Sequence, residues 1–147
     1  MKNGIEAASE NTLKEWTKLA IMLFPHSSYE EEFEFHQKAL KSEKEFGFLY
    51  KKDDKYIGFM NLSIRHDYVN GTDVSPVVFI EAIYVLEEYR QSGVGLELVS
   101  HAEDFAKQRE ITQIASDCLV DNNLSEVFHK SCGFAEVERV ICFVKNV

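Results

Sequence analysis

The stretch Val77-Val78-Phe79-Ile80-Glu81-Ala82-Ile83-Tyr84-Val85 is an apolar run that one charged residue, Glu81, interrupts. Such a run is typical of a strand covered on both faces, so it predicts the central strand of a sheet. Soon after it comes the glycine-bearing turn Arg90-Gln91-Ser92-Gly93-Val94-Gly95. Apolar residues then recur with a period near 3.6, at Leu96, Val99, Ala102 and Ala106. The chain therefore passes from a strand through a glycine turn into a helix.

Two helices are predicted upstream of the central strand. Thr12-Leu13-Lys14-Glu15 is typical of a capping box, and the helix that it begins ends near Pro25. Ser28-Tyr29-Glu30-Glu31 is a second capping box, and its helix runs to about Lys41. Trp16 and Phe105 lie on apolar helical stripes, so we expect them in the core rather than in a site.

A β-hairpin and a loop separate these helices from the central strand. Phe46–Tyr50 and Tyr56–Ile64 are rich in aromatic and branched residues and flank a turn at Asp53-Asp54. Residues 67–76 are dense in turn-forming residues and predict a loop.

Three elements are predicted after the glycine-turn helix. They are a strand at Gln113–Asp117, a short helix that starts at Asp121-Asn122-Asn123 and stops at Gly133, and a final strand at Val137–Val144. With a leading strand, the order is strand, two helices, hairpin, central strand, helix, strand, helix, strand. This order predicts an α/β (α+β) fold with a mixed sheet, one core and a single domain over residues 1–147.

Composition limits the partners. The 147 residues carry a formal net charge of −9, which argues against nucleic acid as the main ligand and favours cationic partners. Cys118, Cys132 and Cys142 have neither CxxC nor metal-ligand spacing, so we expect reduced thiols, no metal and a cytoplasmic location. The longest apolar stretch, residues 19–24, is far short of the ~20 residues that span a bilayer, so we expect no membrane association.

The glycine turn is a candidate anion site. A strand that runs through Gly-x-Gly into a helix leaves backbone N–H groups unpaired at the positive end of the helix dipole. Glycines at 93 and 95 let the backbone approach an anion, and Arg90 adds positive charge. Such turns also occur purely for tight packing. Dinucleotide and P-loop motifs fit less well, because Leu98 replaces the third glycine of GxGxxG and no Gly-Lys-Ser/Thr follows.

The turn resembles that of the GNAT superfamily of acyltransferases, which has the form Arg/Gln-x-x-Gly-x-Gly/Ala after a strand. The stretch Asn122-x-x-Ser125-x-x-Phe128-His129-x-x-x-Gly133-Phe134 is similar to a second motif of that family. More narrowly, residues 64–85, with Ala115-Ser116-Asp117 and Asp121-Asn122, look like the aminoglycoside 6′-N-acetyltransferases. The resemblance implies a mostly antiparallel sheet with a parallel pair at the cofactor cleft.

The resemblance also implies acetyl-CoA as the cofactor. The backbone of Ile83, Tyr84 and Val85 would hydrogen-bond the pantetheine arm, and an N–H near Val85 would stabilise the oxyanion. The remaining cofactor contacts would come from Arg90, Gln91, Ser92, Gly93, Val94, Gly95, Asn122 and Ser125. His129 stands where the family often has a tyrosine, so it would either protonate the leaving thiolate or only orient the cofactor.

The acceptor would be a polycationic amine such as an aminoglycoside. An alkylammonium group titrates near ~10, so a carboxylate that binds the cation and takes its proton would help the reaction at neutral pH. Glu81 and Asp117 are the candidates, although each could instead pair with a nearby Lys, Arg or backbone donor. Phe24, Tyr68, Asp73 and Glu138 would complete an acidic cleft with an aromatic wall.

Three questions stay open at this level. The acceptor could be another amine, such as a polyamine or a peptide N-terminus. The chain could also be a non-catalytic acyl-CoA-binding module. A homodimer is expected from the family resemblance alone.

Overall fold

A computed structural model describes residues 3–147 of the chain. Its elements in chain order are β1 (Gly4–Ala7), α1 (Leu13–Leu23), α2 (Tyr29–Ala39), β2 (Glu45–Lys52), β3 (Lys55–Arg65), β4 (Val77–Val85), α3 (Val94–Gln108), β5 (Ile114–Ser116) and α4 (Asn123–Ser131). Short 3-10 turns lie at Glu10–Thr12 and Glu87–Tyr89.

The five strands form one sheet in the order β1-β2-β3-β4-β5. The first three pairings are antiparallel, and β4 pairs with β5 in parallel. The predicted mixed sheet and hairpin are therefore confirmed. The predicted central strand, β4, is an internal strand between β3 and β5, and β3 is the middle strand of the sheet. Asp53 and Asp54 both have positive φ, 50° and 63°, which suits the tight turn between β2 and β3.

The helices pack their apolar stripes against the sheet. Trp16 in α1 is 1% exposed, and its Nε1 donates a hydrogen bond of 2.8 Å to Asn61 Oδ1 on β3. Phe105 in α3 is also buried, so both residues belong to the core as predicted. Each large side chain buried in this way stabilises the fold by roughly 1.5–3 kcal/mol.

One of the two predicted helix caps is confirmed. Ser28 accepts a hydrogen bond of 3.1 Å from the Glu31 N–H at the start of α2. The predicted capping box at Thr12 is wrong, because the Thr12 side chain makes no cap hydrogen bond to α1. Its Oγ1 accepts from the Ser9 N–H at 2.9 Å instead, so the turn at Glu10–Thr12 uses this hydroxyl before α1 begins.

The predicted final strand at Val137–Val144 is wrong. Residues 135–147 contain no helix or strand, and all of them are exposed. Ile141 is 80% exposed and Phe143 is 87% exposed. Apolar residues favour a strand, but a strand also needs a hydrogen-bonded neighbour for its backbone. None of the strands in residues 3–147 pairs with this segment, which we call the arm.

Two further observations concern partners of the chain. No helix in the described part, residues 3–147, is long and apolar enough to span a membrane. The thiols of Cys118, Cys132 and Cys142 are free.

Candidate functional site

The site begins where β4 and β5 part. β5 pairs only with Val78–Ile80, at Val78↔Ile114, Phe79↔Ala115 and Ile80↔Ser116. β4 continues to Val85 and stays paired with β3 on its other side. Within residues 3–147, the edge of β4 from Glu81 to Val85 that faces β5 therefore has no strand partner. This open edge offers backbone donors and acceptors to an extended ligand.

The turn into α3 presents unpaired amides close to that edge in sequence. Gly93 caps the helix with φ of 90°, and Gln91 also has positive φ, 61°. The first hydrogen bond of the helix runs from the Glu97 N–H to the Gly93 carbonyl at 3.0 Å. The N–H groups of Val94, Gly95 and Leu96 come before it and have no acceptor one turn earlier. They lie at the positive end of the helix dipole, which suits an anion.

The two glycines of this turn have different tasks. A Cβ on Gly93 would meet no atom within 4 Å, so its positive φ is what favours glycine. A Cβ on Gly95 would lie 2.6 Å from Phe128 Cε1, so this glycine lets α4 approach α3. The packing alternative thus accounts for Gly95, whereas the turn conformation accounts for Gly93.

Arg90 turns back toward β4. Its Nε donates a hydrogen bond of 2.8 Å to the Val85 carbonyl, and its Cζ lies 5.3 Å from the centre of the Tyr84 ring. The Ser92 hydroxyl donates to the Tyr89 carbonyl. These two side chains therefore brace the connection between β4 and α3.

Glu81 is paired across the sheet with Arg65 at the end of β3. Arg65 Nε donates to Glu81 Oε1 at 3.0 Å, and Arg65 Nη2 donates to Glu81 Oε2 at 2.8 Å. The Ser63 hydroxyl adds a longer bond of 3.3 Å to Oε1. The alternative that Glu81 pairs with a nearby cation is therefore observed. The side chains of Arg65 and Glu81 are 41% and 33% exposed, so the pair reaches solvent.

Asp117 differs from Glu81 in its surroundings. It directly follows β5 and is exposed. The register Phe79↔Ala115 puts Glu81 and Asp117 each two residues beyond a paired position, with Asp117 just past the end of β5. Among residues 3–147, no hydrogen bond or ion pair engages the Asp117 carboxylate. The site thus presents one paired and one unpaired carboxylate.

His129 is held by both ring nitrogens. Nδ1 lies 2.7 Å from the Ser125 carbonyl oxygen, which can only accept, so Nδ1 carries the proton. Nε2 then accepts from the Ser116 hydroxyl at 2.8 Å. Asn122 caps α4 by accepting from the Ser125 N–H at 3.1 Å. These contacts fix α4 against β5, beside the open edge of β4, and a role of His129 as an acid stays a prediction.

Some of the residues predicted to bind the acceptor lie on segments that contact one another. Val69 in the loop packs with Val77, Phe79 and Ala115, which brings the loop onto the face of the sheet that carries Glu81. A Cβ on Gly71 would lie 2.3 Å from Val137 Cγ2, so the arm passes the same loop.

The loop and the arm carry three of the predicted residues. Tyr68 is 77% exposed, and its hydroxyl accepts from the Gly71 N–H at 3.4 Å. The Asp73 N–H donates to Gln113 Oε1 at 2.9 Å. Glu138 follows Val137 on the arm. Phe24 is the C-cap residue of α1, and it is 38% exposed.

Sequence reasoning missed Arg65 and Phe79. Arg65 Cζ lies 3.5 Å from the centre of the Phe79 ring while its guanidinium holds Glu81. Both residues face the same side of the sheet, but this follows only from the register of β3 against β4. That register shifts at Asn61/Leu62, which no pattern in the sequence marks.

Comparison with known proteins decides the family. The model of the acetyltransferase (GNAT) family matches residues 10–134. The chain belongs to the GNAT acetyltransferase family. Aminoglycoside N(6′)-acetyltransferase type 1 of Acinetobacter haemolyticus is 42% identical to it over 144 residues, which are 98% of this chain and 99% of that protein.

Solved structures agree with this GNAT assignment. The apo crystal structure of an aminoglycoside antibiotic 6′-N-acetyltransferase from Acinetobacter haemolyticus has a TM-score of 0.93 and 39% identity, covering 100% of this chain and 99% of that one. AAC(6′)-Iy in complex with the bisubstrate analogue CoA-S-monomethyl-acetylneamine has a TM-score of 0.94 and 34% identity, covering 100% of both chains. The predicted GNAT fold is confirmed.

Proposed function

We propose that this GNAT acetyltransferase transfers an acetyl group from acetyl-CoA to the 6′-amino group of an aminoglycoside. The observation that carries the proposal is the open edge of β4 at Glu81–Val85, which leads into the unpaired amides at the start of α3. A thioester cofactor with a diphosphate needs these two features in this order. The relatives described above are aminoglycoside acetyltransferases, which supports an aminoglycoside as the acceptor.

The cofactor half uses mainly backbone. The edge of Ile83–Val85 would bind the amide groups of the pantetheine arm, and the amides from Gln91 to Gly95 would bind the diphosphate. Gly93 permits the left-handed turn that directs these amides outward. Arg90 keeps the turn against β4 through its bond to the Val85 carbonyl. Asn122 and Ser125 would contact the cofactor from α4.

The acceptor half uses the two carboxylates. The neutral amine attacks the thioester carbonyl, an N–C bond forms, the C–S bond breaks, and the thiolate leaves and takes up a proton. The amine must lose protons on the way, and the unpaired Asp117 is the better acceptor of the two acids. Glu81 would bind a cationic group of the same substrate, with Tyr68, Asp73, Glu138 and Phe24 around it.

A comparison of acceptors tests the proposal. Thiol release from acetyl-CoA is measured with kanamycin-type sugars, with spermidine and with a peptide N-terminus. We expect turnover with the sugars at a kcat/KM well above that for the other amines. Turnover of spermidine or peptide alone would overturn the aminoglycoside acceptor. Thermal stabilisation by acetyl-CoA without turnover of any amine would favour a non-catalytic binding module.

We further propose a homodimer formed through the arm. Ile141 and Phe143 are 80% and 87% exposed, and on the neighbouring helix α4 Leu124 is 81% and Val127 is 67% exposed. Large exposed apolar patches mark interaction sites, and the outer edge of β5 has no partner strand in residues 3–147. A second copy offers both a matching arm and a matching edge, so a twofold arrangement satisfies both at once.

Sedimentation tests the homodimer. The unaltered protein should sediment as a dimer, and the double substitution Ile141→Lys with Phe143→Lys should give a monomer, because each buried apolar side chain would become a charge. Asn146→Lys adds a charge to the same arm at a polar position and serves as the control. A monomeric unaltered protein would contradict the proposal.

A single domain in the cytoplasm is also our proposal. The free thiols of Cys118, Cys132 and Cys142 suit a reducing compartment. Cell fractionation with a compartment marker tests the location, and one calorimetric unfolding transition tests the single domain.

A further inference from the structure

Arg65 covers the two groups on this face of the sheet that an amino sugar would contact. Its Cζ lies 3.5 Å from the centre of the Phe79 ring, and its guanidinium donates to both oxygens of Glu81. Phe79 is only 4% exposed in this arrangement. A carboxylate beside an aromatic ring is the combination that binds an ammonium group on an apolar carbon skeleton. The guanidinium of Arg65 occupies the place that such an ammonium group would take.

The ion pair between Arg65 and Glu81 can separate at little cost. Both side chains are partly exposed, and an ion pair in contact with water contributes only about 0–1 kcal/mol. Arg65 is also the last residue of β3, where its side chain can swing into the loop without disturbing the sheet. Ser63 remains as a neutral donor to Glu81 Oε1 when the guanidinium leaves.

We propose that Arg65 is a resident counter-cation, which an ammonium group of the acceptor displaces from Glu81. This inference rests on the proposed function. With Arg65 in place Glu81 is neutralised, so a monoamine that displaces it only exchanges one cation for another. A polycation gains more, because its other ammonium groups reach the unpaired Asp117. Arg65 thereby favours polycationic acceptors, and it takes no part in the chemical step because the acceptor has displaced it from Glu81.

The test compares Arg65→Met with Arg65→Lys. Methionine keeps an apolar chain over Phe79 and removes the competing charge, whereas lysine keeps the charge. Titration calorimetry of the coenzyme A-bound protein with kanamycin should show affinity about fivefold tighter for R65M and within about twofold of the unaltered protein for R65K. The affinity of R65M should also fall more steeply with salt, because its site carries one more net negative charge.

Kinetics separate this role from a structural one. For R65M we expect the KM for kanamycin to fall while kcat, the KM for acetyl-CoA and the melting temperature stay within error. Unchanged or weaker kanamycin affinity in R65M would overturn the inference, since a merely structural arginine cannot improve binding when it is removed. Arg65→Gln provides a second neutral variant if R65M folds poorly.

The unaltered protein separates the two proposals. If it acetylates kanamycin and R65M does not bind kanamycin more tightly, only the role of Arg65 fails. If it does not acetylate kanamycin but R65M binds that sugar more tightly, the proposed activity fails and the counter-cation stands. If neither protein binds kanamycin, both proposals fail.

Discussion

The two acids of the site lie in different environments, and this predicts different effects of their removal. Asp117 is unpaired, so Asp117→Asn should lower kcat by roughly 10²–10⁴-fold, the usual contribution of a general base. Glu81 is paired and binds charge, so Glu81→Gln should mainly raise the KM for the aminoglycoside. Both variants should keep their affinity for acetyl-CoA. Steady-state kinetics with both substrates checks the split.

A matched control sharpens this comparison. Glu88 is an exposed acid beyond the site, and its nearest partner is Lys55 at 3.8 Å. Glu88→Gln removes the same charge and should leave both kinetic constants within about twofold of the unaltered protein, as expected for a surface position. Equal losses of kcat in D117N and E81Q would contradict the division of roles.

The residues of the site could be predicted from the sequence to the extent that they interrupt a pattern. Glu81 interrupts an apolar strand, and Gly93 lies in a glycine turn between a strand and a helix. The sequence therefore marks both residues. Arg65 is the last residue of β3 and interrupts no such pattern. Its pairing with Glu81 depends on the register of β3 against β4, in which Glu81 is the extra residue of a bulge in β4, and a shift of one residue in register would have turned Arg65 to the other face.

At the scale of elements, the packing of α3 on α4 depends on Gly95. A methyl group there would lie 2.6 Å from Phe128 Cε1, so Gly95→Ala should push α4 away and cost about 1–3 kcal/mol. The same movement should weaken acetyl-CoA binding, because α3 presents its amides from this position. Chemical denaturation and cofactor titration measure the two effects.

The double variant with Gly95→Ala and Phe128→Leu tests the cause. Leucine leaves room for the added methyl group, so the double variant should recover part of the stability that the single one loses. Phe128→Leu alone is the control for the smaller side chain. If the two substitutions simply add, the contact between Gly95 and Phe128 is not what the alanine disturbs.

The elements themselves were predictable wherever local pattern and tertiary packing agree. The helical stripe around Trp16 and the aromatic and branched residues of β3 both face a core, and both elements were confirmed. The arm shows the opposite case. Val137–Val144 has the composition of a strand, but a strand also needs a neighbouring strand that hydrogen-bonds to its backbone. The sequence does not identify that neighbour.

For the whole molecule, the mostly antiparallel sheet with one parallel pair was predicted through the family resemblance rather than through residue patterns. Local signals gave strands and helices, yet no local signal shows that β5 runs parallel to β4 and leaves it after Ile80. That departure creates the open edge of the site. Long-range pairing is therefore the level at which a single sequence is least informative here.

The stability of the whole molecule should depend on pH through one buried histidine. His36 is fully buried and stacks on Trp16 with ring centres 3.8 Å apart. Thr17 Oγ1 donates to the Leu13 carbonyl, so His36 Nδ1 donates to Thr17 Oγ1 at 3.2 Å. Among residues 3–147, Nε2 has no hydrogen-bond partner. Burial lowers the pKa of His36 to about 4 from its usual 6.5.

The lowered pKa of His36 determines the direction in which folding stability changes with pH. Between pH 6.5 and 4 the unfolded chain binds a proton at His36 that the folded chain does not, so folding stability falls as the pH drops through this window. Below about pH 4 both states bind the proton, and the loss from this group stops. The total loss is at most about 3 kcal/mol.

His36→Gln keeps a donor for Thr17 and cannot titrate. Urea unfolding from pH 7 to pH 4 should therefore show a steeper decline for the unaltered protein than for H36Q, which retains every other titratable group of the chain. Parallel declines in the two proteins would show that His36 takes up its proton in the folded state as readily as in the unfolded one.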